Sequence, residues 1–255
     1  LDADEWTPTA LSPEGWWRAD LGHALSDSDP ITSWANQGTA GASGDVGQGN
    51  ATLQPTFVAS HASFNGQSVI DFDGADVLYA TAGTWWYLSA SDDSATLVTV
   101  CRPTYSGTAV AVVCTRNFGT QGGMRLQVQT TGTNQCEFNC NDGSSGVIDK
   151  GATVAEDATA SVAGTLDGQT SPGTDTVTCW VDGASNGGTS GDLGVIAAAN
   201  PREWCIGGFS TTAGQLPGEV AEVVYVKRRL SAAEDAALTS YLNERYGLSL
   251  SGVTQ

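Results

Sequence analysis

A chain of 255 residues with a formal net charge of −18, from 28 acidic against 10 basic side chains, is long enough to bury one large core, and its field opposes the phosphates of nucleic acid. No apolar run reaches the roughly 18 residues that a membrane-spanning helix needs. The 32 glycines and the single Met predict many short strands joined by tight turns.

The chain opens on Leu1-Asp2-Ala3-Asp4-Glu5, with neither an initiator Met nor a basic leader, so the chain as written is expected to be a processed, trimmed or excised product. Leu11 to Asp20 and Ile31 to Gly38 carry Trp16, Trp17 and Trp34 and read as two short aromatic strands around a polar turn. Thr39 to Asn50 is too polar to pack and reads as an exposed loop. A strand is expected over Ser68 to Phe72, closed by the turn dipeptide Asp73-Gly74. The runs Ala95 to Cys101 and Ala109 to Cys114 are almost continuously apolar and β-branched, as in strands buried on both faces. Further runs at Met124 to Gln129, Cys136 to Cys140, Ala160 to Leu166, Thr176 to Val181 and Glu203 to Ile206 keep a regular cadence of turns. That cadence indicates a two-sheet antiparallel β-sandwich rather than βαβ units. Gly218 to Val226 supplies a last strand. The one helix starts at Ser231, where Ser231-Ala232-Ala233-Glu234 forms a capping box. Ala237, Leu238, Tyr241, Leu242 and Tyr246 follow at helical spacing before Gly247. With no linker or repeat, residues 1–255 are taken as a single domain.

The cysteines at 101, 114, 136, 140, 179 and 205 lack paired CxxC knuckles, and His23 and His61 are the only imidazoles, so a zinc site is not expected. Buried thiols and one or two disulfides both remain open. The Asp-rich balance, with Lys150 and Lys227 as the only lysines, fits either a protein of high-salt habitats or an ordinary acidic exported protein.

Three stretches carry a family resemblance. Leu11 to Asp20 with Trp34-Ala35-Asn36-Gln37-Gly38 is one. Gln54-Pro55-Thr56 with Asn65 to Gly74, closing on Phe72-Asp73-Gly74, is the second. The third and most specific runs from Gly218 through Lys227-Arg228-Arg229-Leu230-Ser231 to Tyr241-Leu242-Asn243-Glu244-Arg245-Tyr246-Gly247-Leu248. Together with the Val181-Asp182-Gly183 hairpin, these resemble the laminin-G-like, concanavalin A-like jelly rolls found in tailed-virus virion proteins and in bacterial or archaeal surface proteins. The resemblance implies an all-β jelly roll with one short C-terminal helix. It implies function weakly, since one sandwich hosts lectins, hydrolases and inert spacers.

Glycoside cleavage needs two carboxylates flanking the scissile bond. No Glu-x-Asp-x-Glu run occurs, Glu137 stands alone in its strand, and Glu219 and Glu222, three apart, are expected on opposite strand faces. No catalytic residue is therefore assigned. Calcium is the candidate ion, with Asp71, Asp73 and Asp76 as oxygen donors on an acidic turn; Asp73-Gly74 also serves as a plain turn former. Glu222 is read as structural. Trp85, Trp86 and Tyr87 are the ligand-binding candidates, because strand alternation would send the two Trp rings to opposite faces and leave aromatic surface for a sugar; one ring in the core with the other beneath a loop or against a partner subunit fits the same pattern. The functional expectation is a non-enzymatic virion-surface or extracellular module, partnered by other virion proteins, by its own copies or by cell-surface glycans. The alternative is a secreted carbohydrate-binding or adhesin domain of a larger protein.

Overall fold

The structure is a computed structural model that describes residues 6–80, 83–88, 94–104, 109–115, 122–128, 135–168, 175–193, 196, 203–209 and 214–254. Its first strands are short: β1 (Gly15–Arg18), β2 (Ser33–Trp34), β3 (Val46–Gly47), β4 (Thr56–Val58), β5 (Val69–Asp73) and β6 (Leu78–Ala80). Longer ones follow as β7 (Ser94–Pro103), β8 (Val110–Thr115), β9 (Gly123–Val128), β10 (Gln135–Asn141), β11 (Gly146–Thr153), β12 (Ala160–Asp167) and β13 (Asp175–Val181). The chain closes with β14 (Ala184–Ser185), β15 (Thr189–Gly191), β16 (Trp204–Ile206), β17 (Pro217–Val226) and α1 (Ala232–Tyr246).

The strands form two sheets. The first runs β14-β13-β12-β7-β17-β5-β4, with β1 also on β17 and β15 on β13; the second runs β11-β10-β9-β8-β16-β6-β3-β2. Strand pairing is antiparallel throughout the described residues. The strands predicted at 68–72, 95–101, 109–114, 124–129, 136–140, 160–166, 176–181, 203–206 and 218–226 all have counterparts, and the described residues form an all-β two-sheet sandwich with one α-helix.

The continuous apolarity of β7 and β17 has a direct cause. Both lie mid-sheet, and their two faces enter different cores. Leu97, Cys101, Val220, Val223 and Tyr225 point between the sheets, while Val98, Val100, Ala221, Val224 and Val226 point outward onto Leu238, Tyr241, Leu242 and Tyr246 of α1. Alternation along β1 likewise sends Trp17 to the inter-sheet core and Trp16 beneath the helix. The helix keeps its predicted start, with the Ser231 hydroxyl accepting from the Glu234 amide and the Glu234 carboxylate accepting from the Ser231 amide at 2.9 Å; it ends on Gly247 at φ 67°.

The two sheets approach closely around Phe138. A Cβ on Gly164 of β12 would meet the Phe138 ring at 2.3 Å, so only glycine fits under it. Beside this contact, Cys136 of β10 and Cys179 of β13 form a disulfide between the sheets, and Cys101, Cys114, Cys140 and Cys205 are buried free thiols. The stretch 39–50 departs from its expected loop. Asp45 accepts from the Asn36 amide at 2.8 Å, and this turn aims Val46, 1% exposed, into the core, so that β3 joins the second sheet. One apolar residue in a polar stretch was enough once the turn oriented it.

Candidate functional site

On β10, Cys136, Phe138 and Cys140 belong to the inter-sheet core, so Glu137, Asn139 and Asn141 point outward. On β9, Met124, Leu126 and Val128 point inward and Arg125 and Gln127 outward; on β11, Val147 points inward and Ile148 and Lys150 outward. Register aligns these outward side chains in two rows across the second sheet. One is Lys150, Glu137, Gln127; the other is Ile148, Asn139, Arg125, Cys114, Cys205.

An outer sheet face ordinarily exposes its polar side chains, but the central ones of this face are buried. Glu137, Asn139 and Gln127 are 3%, 5% and 1% exposed. Glu137 accepts from Gln127 Nε2 at 2.5 Å and pairs with Lys150 Nζ at 3.0 Å. The Arg125 guanidinium lies 5.7 Å over the Phe209 ring, and burial draws its pKa below the ordinary arginine value. Gln127 Oε1 and Asn139 Oδ1 have no hydrogen-bond partner among the described residues, a state that costs about 1–3 kcal/mol per atom. At the rim, beside Asn139, stands the exposed Ile148. Glu137 was visible in the sequence; the rest of the cluster was not assigned. Its signal is the outward alternation Glu-x-Asn-x-Asn on β10 beside Arg-x-Gln on β9.

The predicted aromatic cluster lies elsewhere. Residues 84–87 form a turn closed by the Tyr87 amide on the Thr84 carbonyl at 3.0 Å, so strand alternation does not govern them. Trp86 is fully buried. Trp85 packs 5.2 Å from Trp204 and 5.8 Å from Trp17, and Tyr87 meets Trp86 edge-on at 4.2 Å. The turn directs both Trp rings toward the aromatic layer of the core.

Asp71 and Asp73 share the exposed side of β5 as alternation requires. Asp73 and Asp76 come together within their own turn: Asp76 Oδ2 accepts from the Asp73 amide at 3.0 Å, and Asp73 Oδ1 accepts from the Ala75 amide at 2.8 Å. Among the described residues, no group of three His, Cys, Asp or Glu side chains is arranged to hold a metal ion. Burial and the neighbouring carboxylates push Asp76 up to about 6.

Glu219 and Glu222 correct the alternation argument. A bulge between Val220 and Glu222 inserts one residue, which places both carboxylates on the outer face of the first sheet. Each is already engaged. Arg102 donates to both Glu219 oxygens at 2.9 and 3.1 Å. Glu222, 1% exposed, accepts from Trp16 Nε1 at 2.6 Å, Tyr246 at 2.7 Å and Tyr241 at 3.1 Å, and burial raises its pKa. The structural reading of Glu222 matches this geometry. On the second sheet, Glu137 has no second carboxylate in its own row or the adjoining one, whereas glycoside cleavage needs a pair about 5–10 Å apart.

Residues 72–234 match the family model described as the concanavalin A-like lectin/glucanases superfamily. The chain belongs to this superfamily. Solved structures agree on the fold: a Trypanosoma rangeli sialidase in complex with the inhibitor DANA (TM-score 0.52, 13% identity) and domain 4 of AbnA, an extracellular GH43 arabinanase of Geobacillus stearothermophilus, in complex with arabinotriose (TM-score 0.56, 10% identity). The alignment covers 90% of this chain but only 32% of the sialidase chain, and 91% of this chain with 98% of the arabinanase domain. At these identities the likeness concerns the superfamily fold alone. No curated protein sequence matches the chain. No helix of the described residues is long and apolar enough to cross a membrane.

Proposed function

We propose that this domain binds carbohydrate without cleaving it, on the outer face of the second sheet, outside the cell or on a virion surface. The observation that carries the reading is the exposed pair Ile148 and Lys150 at the rim of this face, set over the buried polar side chains of Glu137, Asn139 and Gln127. The Lys150 ammonium has N–H groups left to donate to sugar oxygens, and an apolar sugar face would rest on Ile148. The lone, ion-paired Glu137 argues for binding over hydrolysis. That a domain of the same fold in an arabinanase is seen with arabinotriose supports this reading and favours a carbohydrate-binding module. Display in many copies, on a virion beside other capsid or tail proteins or on a cell wall, would turn weak single-site binding into avidity.

The test is glycan-array binding of the intact protein against Ile148→Ala and Lys150→Ala, with melting curves to confirm folding. Folded variants are expected to lose binding at least tenfold, with no reducing ends released from any bound polysaccharide. Undiminished binding by both variants would remove the site from this face, and release of sugar would contradict the non-enzymatic reading.

A further inference from the structure

A recess lies on the outer side of the first sheet, where β1 meets the end of α1. It is an open cleft of about 440 Å³, lined among others by Trp6, Arg18, Gln67, Tyr241, Glu244 and Arg245, and its volume falls in the range of small-molecule sites. Residues from the N-terminal segment, the turn before β5 and the last turns of the helix meet here only because α1 docks on the first sheet.

Its interior is held in place before any ligand arrives. The Trp6 and Tyr241 rings stand 5.6 Å apart at 56° and form an aromatic wall. Arg18 donates from Nε to Asp20 at 2.6 Å and from Nη1 to the Tyr241 hydroxyl at 3.3 Å. Arg245 donates from Nη2 to Asp20 at 2.8 Å and from Nε to the Tyr246 hydroxyl at 3.3 Å. Both tyrosines are fixed from behind by the buried Glu222. Several polar atoms at the mouth remain uncommitted among the described residues: Trp6 Nε1, the Gln67 side-chain amide, the Glu244 carboxylate and Arg245 Nη1. The set therefore offers donors and an acceptor around an aromatic surface.

Charge decides the class of ligand. Arg18 and Arg245 are balanced by Asp20, which bridges them, and by Glu244, so no cation is left over to hold an acid, and the chain carries −18 overall. We propose that this cleft is a binding site for a short neutral oligosaccharide, separate from the outer face of the second sheet. The apolar face of a sugar ring stacks on Trp6 and Tyr241, Gln67, Arg245 and Trp6 Nε1 donate to its oxygens, and its hydroxyls donate to Glu244.

The experiment titrates the whole protein with neutral gluco-, galacto-, manno- and arabinotrioses, and with sialyllactose as the acidic arm, by calorimetry and tryptophan fluorescence. At least one neutral triose is expected to bind more tightly than sialyllactose. Trp6→Ala and Glu244→Ala are each expected to weaken that binding at least tenfold while Ser240→Ala, at an exposed position of α1 outside the cleft, leaves it unchanged. Glu244 is exposed, so its variant keeps the test valid if Trp6→Ala fails to fold. No triose bound, sialyllactose bound best, or full binding by the Glu244 variant would overturn the proposal. Binding lost with Lys150→Ala but kept with the cleft variants would overturn it and leave the outer-face reading standing.

Discussion

Replacing Leu238 by Ala asks whether the helix is part of the folding unit. Leu238 is fully buried in the cluster that joins α1 to the outer face of the first sheet, with Val98, Val100, Val224, Leu242 and Tyr246 in the same cluster. The substitution removes three buried carbons, about 2.4 kcal/mol at ~0.8 kcal/mol each. The sheet beneath is itself packed on its other face, so it has little freedom to collapse into the gap. A residual cavity of roughly 50–80 Å³ at ~24 cal/mol per Å³ adds about 1–2 kcal/mol. The expected loss is therefore about 3.5–4.5 kcal/mol, read from urea unfolding followed by tryptophan fluorescence, with the slope of the transition unchanged. The exposed Ser240 provides a control, since Ser240→Ala should stay within about 0.5 kcal/mol. A loss below about 1 kcal/mol for Leu238→Ala would mean that α1 is peripheral and that the second core contributes little.

The disulfide Cys136–Cys179 closes a loop with a sequence separation of 43, and the chain-entropy relation puts its contribution near 4 kcal/mol; the Cys136→Ala, Cys179→Ala double variant should show a deficit of that order in urea, and equal stability would refute the link. Glu222 is a carboxyl whose folded pKa lies above the ordinary 4.5, so the folded state holds its proton more tightly than the unfolded chain. The stability it contributes is complete below about pH 4.5 and is lost as pH rises through the raised value. Glu222→Gln should accordingly flatten the fall in melting temperature above that pH, and identical pH profiles would count against it. With 28 acidic against 10 basic side chains, molar KCl is expected to raise the melting temperature by screening self-repulsion; no change or a decrease would argue against a high-salt origin. If calcium is held by Asp71, Asp73 and Asp76, millimolar calcium should raise the melting temperature of the wild type but not of Asp71→Asn, and an equal response would remove the ion from this turn.

Most of the fold was legible in local pattern. The β-branched runs at 95–101 and 109–114, the turn dipeptides and the Ser231–Glu234 capping box each encode structure within a few residues, and the strands and helix formed where those signals stood. The site was less legible, for identifiable reasons. The alternation rule failed at Trp85 and Trp86 because that segment is a turn, and at Glu219 and Glu222 because a bulge inserts a residue into β17. Neither device has a sequence signature as strong as the periodicity it interrupts. The outward residues of β9, β10 and β11 could be paired from the sequence, since those strands are consecutive, but their burial depends on what covers the sheet. The cleft lay beyond any local reading. Trp6, Arg18, Gln67 and Arg245 are spread over almost the whole chain, and they meet because the helix buries its apolar face on the first sheet. Composition and periodicity determined that the sandwich and its helix would form; which polar groups then faced one another was decided by packing between distant segments, which no local period encodes.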